Sequence, residues 1–131
     1  MPFVQIHLPA TFTQAQKKTI SVSVQESLVA IFNVPEKDYF RVINVLSEGH
    51  LIHPDNYLDI PHTDQMVYIY ITCALGRTKE MKQALYASIA QKIAAGAAVN
   101  SNDVFIMLNE IPWENWSFGQ GKAQMIHKST C

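Results

Sequence analysis

The chain has 131 residues, of which 48% are hydrophobic and 16% charged, and its formal net charge is −1. A chain of this length forms one domain around a single core, and its charge excludes the basic surface that nucleic-acid binding requires. Its apolar stretches are too short to span a membrane, and its N-terminus lacks the pattern of a secretory signal, so we expect a cytoplasmic protein. The low charged fraction also hints that other subunits cover part of its surface.

The first half of the chain is predicted to form a strand, a helix and a second strand. The run Phe3–Leu8 is rich in β-branched and aromatic residues, as expected of a strand. Thr13 and Gln16 form the capping box that begins a helix. Pro35 ends this helix, because the residue before a proline avoids the α region. The second strand is predicted over Tyr39–Leu46.

A polar, turn-rich segment over residues 47–65 follows, and we interpret it as a connecting excursion with room for one short strand. The second half then repeats the order of elements, with a strand over Val67–Cys73, a helix capped by Thr78 and a strand over Val104–Glu110. Residues 113–131 are aromatic and punctuated by glycine, which suits a short hairpin or an arm.

The two halves are copies of one unit. A shift of 65 residues aligns residues 2–47 with 67–112 without a gap, and nine positions are identical. Two strands joined through a helix run parallel with a right-handed crossover. The repeat therefore predicts an α+β fold in which a tandem β-α-β repeat builds a four-stranded sheet with both helices on one face. We expect one domain over residues 1–131, with residues 113–131 as its C-terminal arm. The bare face of the sheet would be covered in a closed ring of identical subunits.

Pro2 stands immediately before the first predicted strand. If Met1 is removed, the proline nitrogen becomes a free secondary amine with an orientation fixed by its ring. An α-amino group titrates near neutrality and partial burial lowers its pKa, so this amine can act as a general acid or base. In the alternative interpretation, Pro2 is an ordinary penultimate proline. A retained Met1 would turn its nitrogen into an amide without usable basicity.

Four further residues are candidates for a site, and each has a structural alternative. Arg77 lies one residue before a helix cap, where it is either a solvated charge or, with the helix N-terminus, an anion site suited to a small oxo acid. Asp38 precedes a strand and repeats as Asp103, which favours a turn-capping role for one of the pair. Trp116 and Phe118 are either packing residues or the walls of a pocket.

Other patterns are explained better by structure than by chemistry. His50-x-x-His53 with Asp55 has loose spacing in a proline-bounded loop, which favours solvated histidines over a metal site. Cys73 lies in an apolar strand and Cys131 is far from it in the sequence, so both are expected to be free thiols. We predict no metal.

Several of these features occur together in one family. The chain resembles the tautomerase superfamily in three features: Pro2 opening a strand, the doubled β-α-β unit, and the motif Gly76-Arg77-Thr78-Lys79-Glu80-x-Lys82. Within it the chain is most similar to the malonate semialdehyde decarboxylase branch, through Phe32-x-Val34-Pro35-x-x-Asp38 and Trp116-Ser117-Phe118-Gly119-x-Gly121-x-Ala123. The resemblance covers nearly the whole chain.

This resemblance implies a homotrimer that needs no cofactor and has active sites near its subunit boundaries. It implies that Pro2 is the catalytic amine and that Asp38 is the acidic catalytic residue. Arg77 would be one of two arginines that bind the substrate carboxylate. Trp116 and Phe118 would be apolar walls of the pocket.

One position departs from the family pattern. The family decarboxylase carries an arginine two residues before the position of Arg77, and this chain has Leu75 there. The change removes a charge-assisted bond to a carboxylate. We therefore expect a tautomerase that uses Pro2 for keto–enol proton transfer on a small 2-oxo acid. The alternatives are a lyase or hydratase similar to malonate semialdehyde decarboxylase, and a trimeric interaction protein without enzymatic activity.

Overall fold

The computed structural model describes residues 2–126. Met1, Cys131 and the predicted end of the arm over residues 127–131 lie outside the described residues. The main chain forms six strands and two long helices: β1 (Phe3–Pro9), α1 (Gln14–Phe32), β2 (Phe40–Leu46), β3 (Asn56–Tyr57), β4 (Ile60–Pro61), β5 (Val67–Ala74), α2 (Lys79–Ala97) and β6 (Val104–Ile111). Within residues 2–126, neither long helix has the apolar length that crossing a bilayer requires.

Four strands form one sheet in the order β2-β1-β5-β6. β1 is parallel to β2 and β5 is parallel to β6, while the two units meet antiparallel along β1 and β5. The predicted α+β fold built from two β-α-β units is therefore confirmed. The main strands differ from their predicted bounds by one residue at an end, as expected where ladders fray.

The core lies between one face of the sheet and both helices. Alternate side chains of β1 and β5 point into it, and apolar residues of α1 and α2 meet them. These are, among others, Val4, Ile6, Leu8, Ile20, Val24, Leu28, Ile69, Ile71, Leu85, Ile89 and Ile93. The helices approach closely at Gly96, where an added Cβ would lie 2.7 Å from Cγ2 of Thr19.

The opposite face of the sheet is open in the single chain. Large apolar side chains of the two edge strands remain exposed there, namely Phe40, Val42, Phe105 and Met107. A water-exposed apolar area of this kind is typical of a surface that binds a protein or another ligand.

Two connecting segments differ from expectation. The excursion over residues 47–65 holds two strands rather than one, because β3 and β4 pair as a small antiparallel hairpin. Residues 113–126 contain a short 3₁₀ turn over Trp113–Asn115 and no strand. The hairpin alternative for the tail is therefore wrong over these residues, and the segment is an arm.

Candidate active site

One end of the sheet brings together the predicted site residues. β1 and β2 begin at this end and β5 and β6 finish there, because the two units are antiparallel. Pro2 precedes β1, Asp38 precedes β2 and Arg77 follows β5. We call this the Pro2 end of the sheet.

Pro2 is buried. Its even position places its ring on the helix-facing side of β1, as for buried Val4 two residues later. β1 pairs Phe3 with Thr72, and continuing this antiparallel register by one residue sets Pro2 beside Cys73 of β5.

The C-terminal arm crosses the Pro2 end. It leaves from β6 at one edge of the sheet and reaches β2 at the other, where the ring of Phe118 stacks on that of Phe40 with centroids 6.5 Å apart. The Trp116 ring stacks on the Phe118 ring at 5.4 Å. A segment that joins these two edges spans the ends of β5 and β1, and Phe40 places Phe118 on the open face of the sheet. The buried indole Nε1 of Trp116 has no hydrogen-bond partner among the described residues.

Arg77 joins the end of β5 to the end of α1. Its Nη1 donates to the Ala74 carbonyl and its Nη2 to the Phe32 carbonyl, both at 3.2 Å. Its guanidinium also lies over the Phe32 ring, 5.0 Å from the centroid. The Phe32 carbonyl belongs to the last turn of α1, where helix carbonyls lack partners within the helix, so Arg77 caps this helix.

Arg77 is therefore more than a solvated charge. Two of its five N–H groups are used by these carbonyls, which leaves three for other acceptors. It immediately precedes Thr78, the cap of α2, whose side chain accepts a hydrogen bond from the backbone of Met81 at 3.1 Å. The positive end of the α2 dipole thus begins one residue after Arg77 in the chain. This arrangement can bind an anion.

The two aspartates of the repeat have different surroundings. Asp103 is buried at the opposite end of the sheet, where its carboxylate accepts from the Thr63 backbone at 2.9 Å and from its hydroxyl at 2.6 Å. Asp38 is half-buried at the Pro2 end. Its backbone closes a turn with Pro35, and its carbonyl accepts from Gln25 at 3.4 Å. The repeat predicted a turn-capping role for either Asp38 or Asp103, and the hydrogen bonds to Thr63 give such a role to Asp103.

An ion pair at the Pro2 end was missed by the sequence reasoning. Lys82 of α2 lies 2.6 Å from the carboxylate of Glu110 on β6. In β6 the side chains of Val104, Ile106 and Leu108 pack against the core, and Glu110 continues this alternation as a charge. A carboxylate at the end of an apolar alternation was the available signal.

The loop histidines have other contacts. The Nδ1 atom of His53 donates to the Pro54 carbonyl at 3.0 Å, and the rings of His53 and His62 lie edge to face with centroids 6.1 Å apart. Among the described residues, no cluster of three or more His, Cys, Asp or Glu could hold a metal ion.

Two cavities of the single chain lie away from Pro2. One of about 330 Å³ is bordered by Pro9 and Leu46, at the far ends of β1 and β2. The other, of about 340 Å³, is apolar and is bordered by Met66, Tyr68 and Phe105. Both lie at the end of the sheet opposite to the predicted site.

Comparison with known proteins decides the family. The sequence model of a family described as "Tautomerase enzyme" matches residues 38–119. The chain belongs to the tautomerase family. The matched segment contains Asp38, Arg77, Trp116 and Phe118, and it does not extend to Pro2.

Individual relatives support this membership along the whole chain. A Bacillus subtilis protein named "Probable tautomerase YusQ" is 43% identical over 126 residues, which are 96% of this chain and 99% of that protein. The crystal structure of FG41 malonate semialdehyde decarboxylase inhibited by 3-bromopropiolate is 29% identical. It matches with a TM-score of 0.89 over 97% of this chain and 96% of its own.

A third similarity concerns the fold alone. A symmetric trimer of wild-type fused 4-OT is 20% identical and matches with a TM-score of 0.78. The match covers 94% of this chain and 96% of that one. The tandem β-α-β arrangement is thus shared well beyond the range of clear sequence similarity.

Proposed function

We propose that this tautomerase-family chain uses the amine of Pro2, freed by removal of Met1, to move a proton between oxygen and carbon of a small 2-oxo acid. The observation that supports the proposal is the strand topology, which brings Pro2, Asp38 and Arg77 to one end of the sheet, where Phe118 of the arm also stacks on Phe40. The arrangement supplies a base, an anion site and a cover that limits the access of water.

Each group has a defined task in this proposal. The neutral amine takes the proton from the enol hydroxyl, and the resulting ammonium gives a proton to the adjacent carbon, which yields the keto acid and restores the amine. Arg77 binds the carboxylate with N–H groups that the two backbone carbonyls leave unused. Asp38 orients a water or polarises the substrate carbonyl. The indole N–H of Trp116, which has no partner within residues 2–126, is a further donor for a substrate oxygen.

Ketonisation of enol-phenylpyruvate by the chain without Met1 tests the proposal. Pro2→Gly replaces the secondary amine by a primary one and loses the rigid ring, so kcat/KM should fall by about 10- to 100-fold, less than the full contribution of a general acid–base group because an amine remains. An unchanged elution volume and far-UV circular dichroism spectrum would show that the variant is folded. Absent activity in the wild type, or full activity in the variant, would contradict the proposal.

A lyase that acts on malonate semialdehyde is the second candidate, favoured by the 29% identical decarboxylase structure. Against it stands Leu75, whose side chain is 58% exposed at the Pro2 end, where the family decarboxylase carries an arginine. We therefore expect the wild type to decarboxylate malonate semialdehyde slowly, and the Leu75→Arg variant to do so at a higher rate. A wild type that decarboxylates faster than it ketonises phenylpyruvate would put the lyase first.

We also propose a homotrimer. The exposed apolar residues on the open sheet face support it, and so does the shared fold with a fused 4-OT that is a symmetric trimer. Sedimentation equilibrium at micromolar concentration should give three times the subunit mass. A trimer that lacks both activities would instead favour a non-enzymatic interaction protein.

A further inference from the structure

The Lys82–Glu110 ion pair lies at the Pro2 end, in a half-buried setting. The two side chains are 29% and 20% exposed, and Nζ is 2.6 Å from Oε1. The hydrogen bond to Glu110 raises the pKa of Lys82. Because charges are costly where water is scarce, a pair in this position needs an explanation.

The strand register places this pair close to Pro2. β6 pairs Glu110 with Cys73 of β5, and the continued register of β1 sets Pro2 on the other side of Cys73. All three positions face the helices, as does Lys82 at the start of α2. Two strand spacings of about 4.8 Å separate the backbones of Pro2 and Glu110, a distance of roughly 10 Å.

The charges of the pair act on the strand between them and Pro2. Burial raises the pKa of the Cys73 thiol, Glu110 raises it further, and Arg77 and Lys82 lower it. Cys73 is the neighbour of Pro2 in the sheet, so a group at Pro2 lies within the same field.

We propose that Lys82 and Glu110 are positioning residues for the Pro2 amine. Each compensates the charge of the other, so that neither charge alone shifts the protonation of the amine. This inference rests on the proposed role of Pro2. The other titratable or charged groups at the Pro2 end belong to the segment before β2, to β2, to β5 and the segment after it, to the first turns of α2 and to the segment after β6: Glu36, Lys37, Asp38, Tyr39, Arg41, Cys73, Arg77, Lys79, Glu80, Tyr86 and Glu114.

The direction in which the pKa of the Pro2 amine shifts follows from the charge that remains after one partner of the ion pair is replaced. Without Lys82, the Glu110 carboxylate is uncompensated and stabilises the Pro2 ammonium, so the pKa of the amine rises. Without the Glu110 charge, the Lys82 ammonium repels the Pro2 ammonium and the pKa of the amine falls. A single charge at about 10 Å, with an effective dielectric constant of about 20, shifts a pKa by about one unit.

Nitrogen-15 NMR of labelled Pro2 measures this pKa without any turnover. The chain is prepared with Met1 removed by co-expressed methionine aminopeptidase and is checked by intact mass. Lys82→Met should raise the pKa of the amine by about one unit and Glu110→Gln should lower it by a similar amount, with the double variant near the wild type. At 1 M salt both shifts should shrink, because the Debye length is then about 3 Å.

A second ion pair supplies the matched control. Lys92 and Glu26 lie 3.8 Å apart on the outer side of the helices, and Lys92 is about 15 Å further along α2 than Lys82. Lys92→Met and Glu26→Gln should leave the pKa of Pro2 unchanged. Shifts of Lys82→Met and Glu110→Gln in the same direction, or shifts no larger than those of the control variants, would overturn the inference.

These outcomes separate the inference from the proposed function. If the amine titrates and shifts as expected but phenylpyruvate is not ketonised, the electrostatic role stands and the tautomerase proposal fails. If ketonisation occurs and the pKa does not move, the ion pair is only structural. In an active enzyme, the acid limb of the kcat/KM profile should move with the amine.

Discussion

Arg77 has two separable roles, and its replacement tests both. The guanidinium caps the end of α1 through the Phe32 carbonyl and holds the end of β5 through the Ala74 carbonyl. Arg77→Met keeps much of the contact with the Phe32 ring while removing both hydrogen bonds and the charge. Arg77→Lys keeps the charge, but its single ammonium cannot reproduce the planar fork.

The magnitude follows from these contacts. Hydrogen bonds from a charged donor contribute about 1.5 to 3 kcal/mol each when they are short and buried. At 3.2 Å and half-buried, each bond of Arg77 should contribute about 1 kcal/mol. Arg77→Met should then lower the free energy of unfolding by about 2 kcal/mol, and Arg77→Lys by about 1 kcal/mol.

Urea unfolding and steady-state kinetics measure the two roles separately. Besides its stability loss, Arg77→Met should reduce kcat/KM for enol-phenylpyruvate by about 100-fold, because a charge-assisted bond to the carboxylate is lost. Ile93→Val is a control in the core away from the Pro2 end, and its stability loss of about 1 kcal/mol matches that of Arg77→Lys. It should leave kcat/KM unchanged. A destabilised Arg77→Met with wild-type kcat/KM would show that Arg77 is only a helix cap and would refute its role in binding.

Two further substitutions test the packing of the fold. Gly96→Ala should destabilise the chain by about 1 kcal/mol or more, because the clash with Cγ2 of Thr19 outweighs the better helix propensity of alanine. Adding Thr19→Ser removes this methyl group, so the double variant should regain the lost stability. A higher melting temperature for Gly96→Ala alone would contradict the close approach of the helices. Ala98 ends α2 with φ 56°, where its counterpart in the first unit is Asn33 with φ 57°. Ala98→Gly should therefore raise the free energy of unfolding by about 1 kcal/mol, and a lower melting temperature would contradict this.

The fold could be predicted because its information is local and doubled. Strand alternation, the cap at Thr13 and the break at Pro35 each define an element from neighbouring residues, and the repeat then determines how the two units are arranged. The structure confirms the cap, since Thr13 and Gln16 exchange hydrogen bonds at 2.9 and 3.1 Å. The hairpin of β3 and β4 was not anticipated, because strands of two residues carry too little pattern to stand out.

The site could be predicted only in part. Strand polarity brings Pro2, Arg77 and Asp38 to one end, and this follows from topology. The course of the arm across that end depends on aromatic contacts between Phe118 and Phe40, which are distant in sequence. No periodicity or short motif encodes such a contact. The Lys82–Glu110 pair was missed for the same reason, because its partners come from separate elements that meet only in the folded chain.

In the proposed reaction the free amine of Pro2 performs the proton transfer. Ketonisation of enol-phenylpyruvate should therefore be compared between the chain without Met1 and a chain in which one alanine precedes Pro2, so that the proline nitrogen is an amide. With both proteins folded and of equal oligomeric mass, kcat/KM should be lower by about 100-fold or more in the extended chain, since a general base contributes at least this much. Equal kcat/KM values in the two proteins would contradict the account.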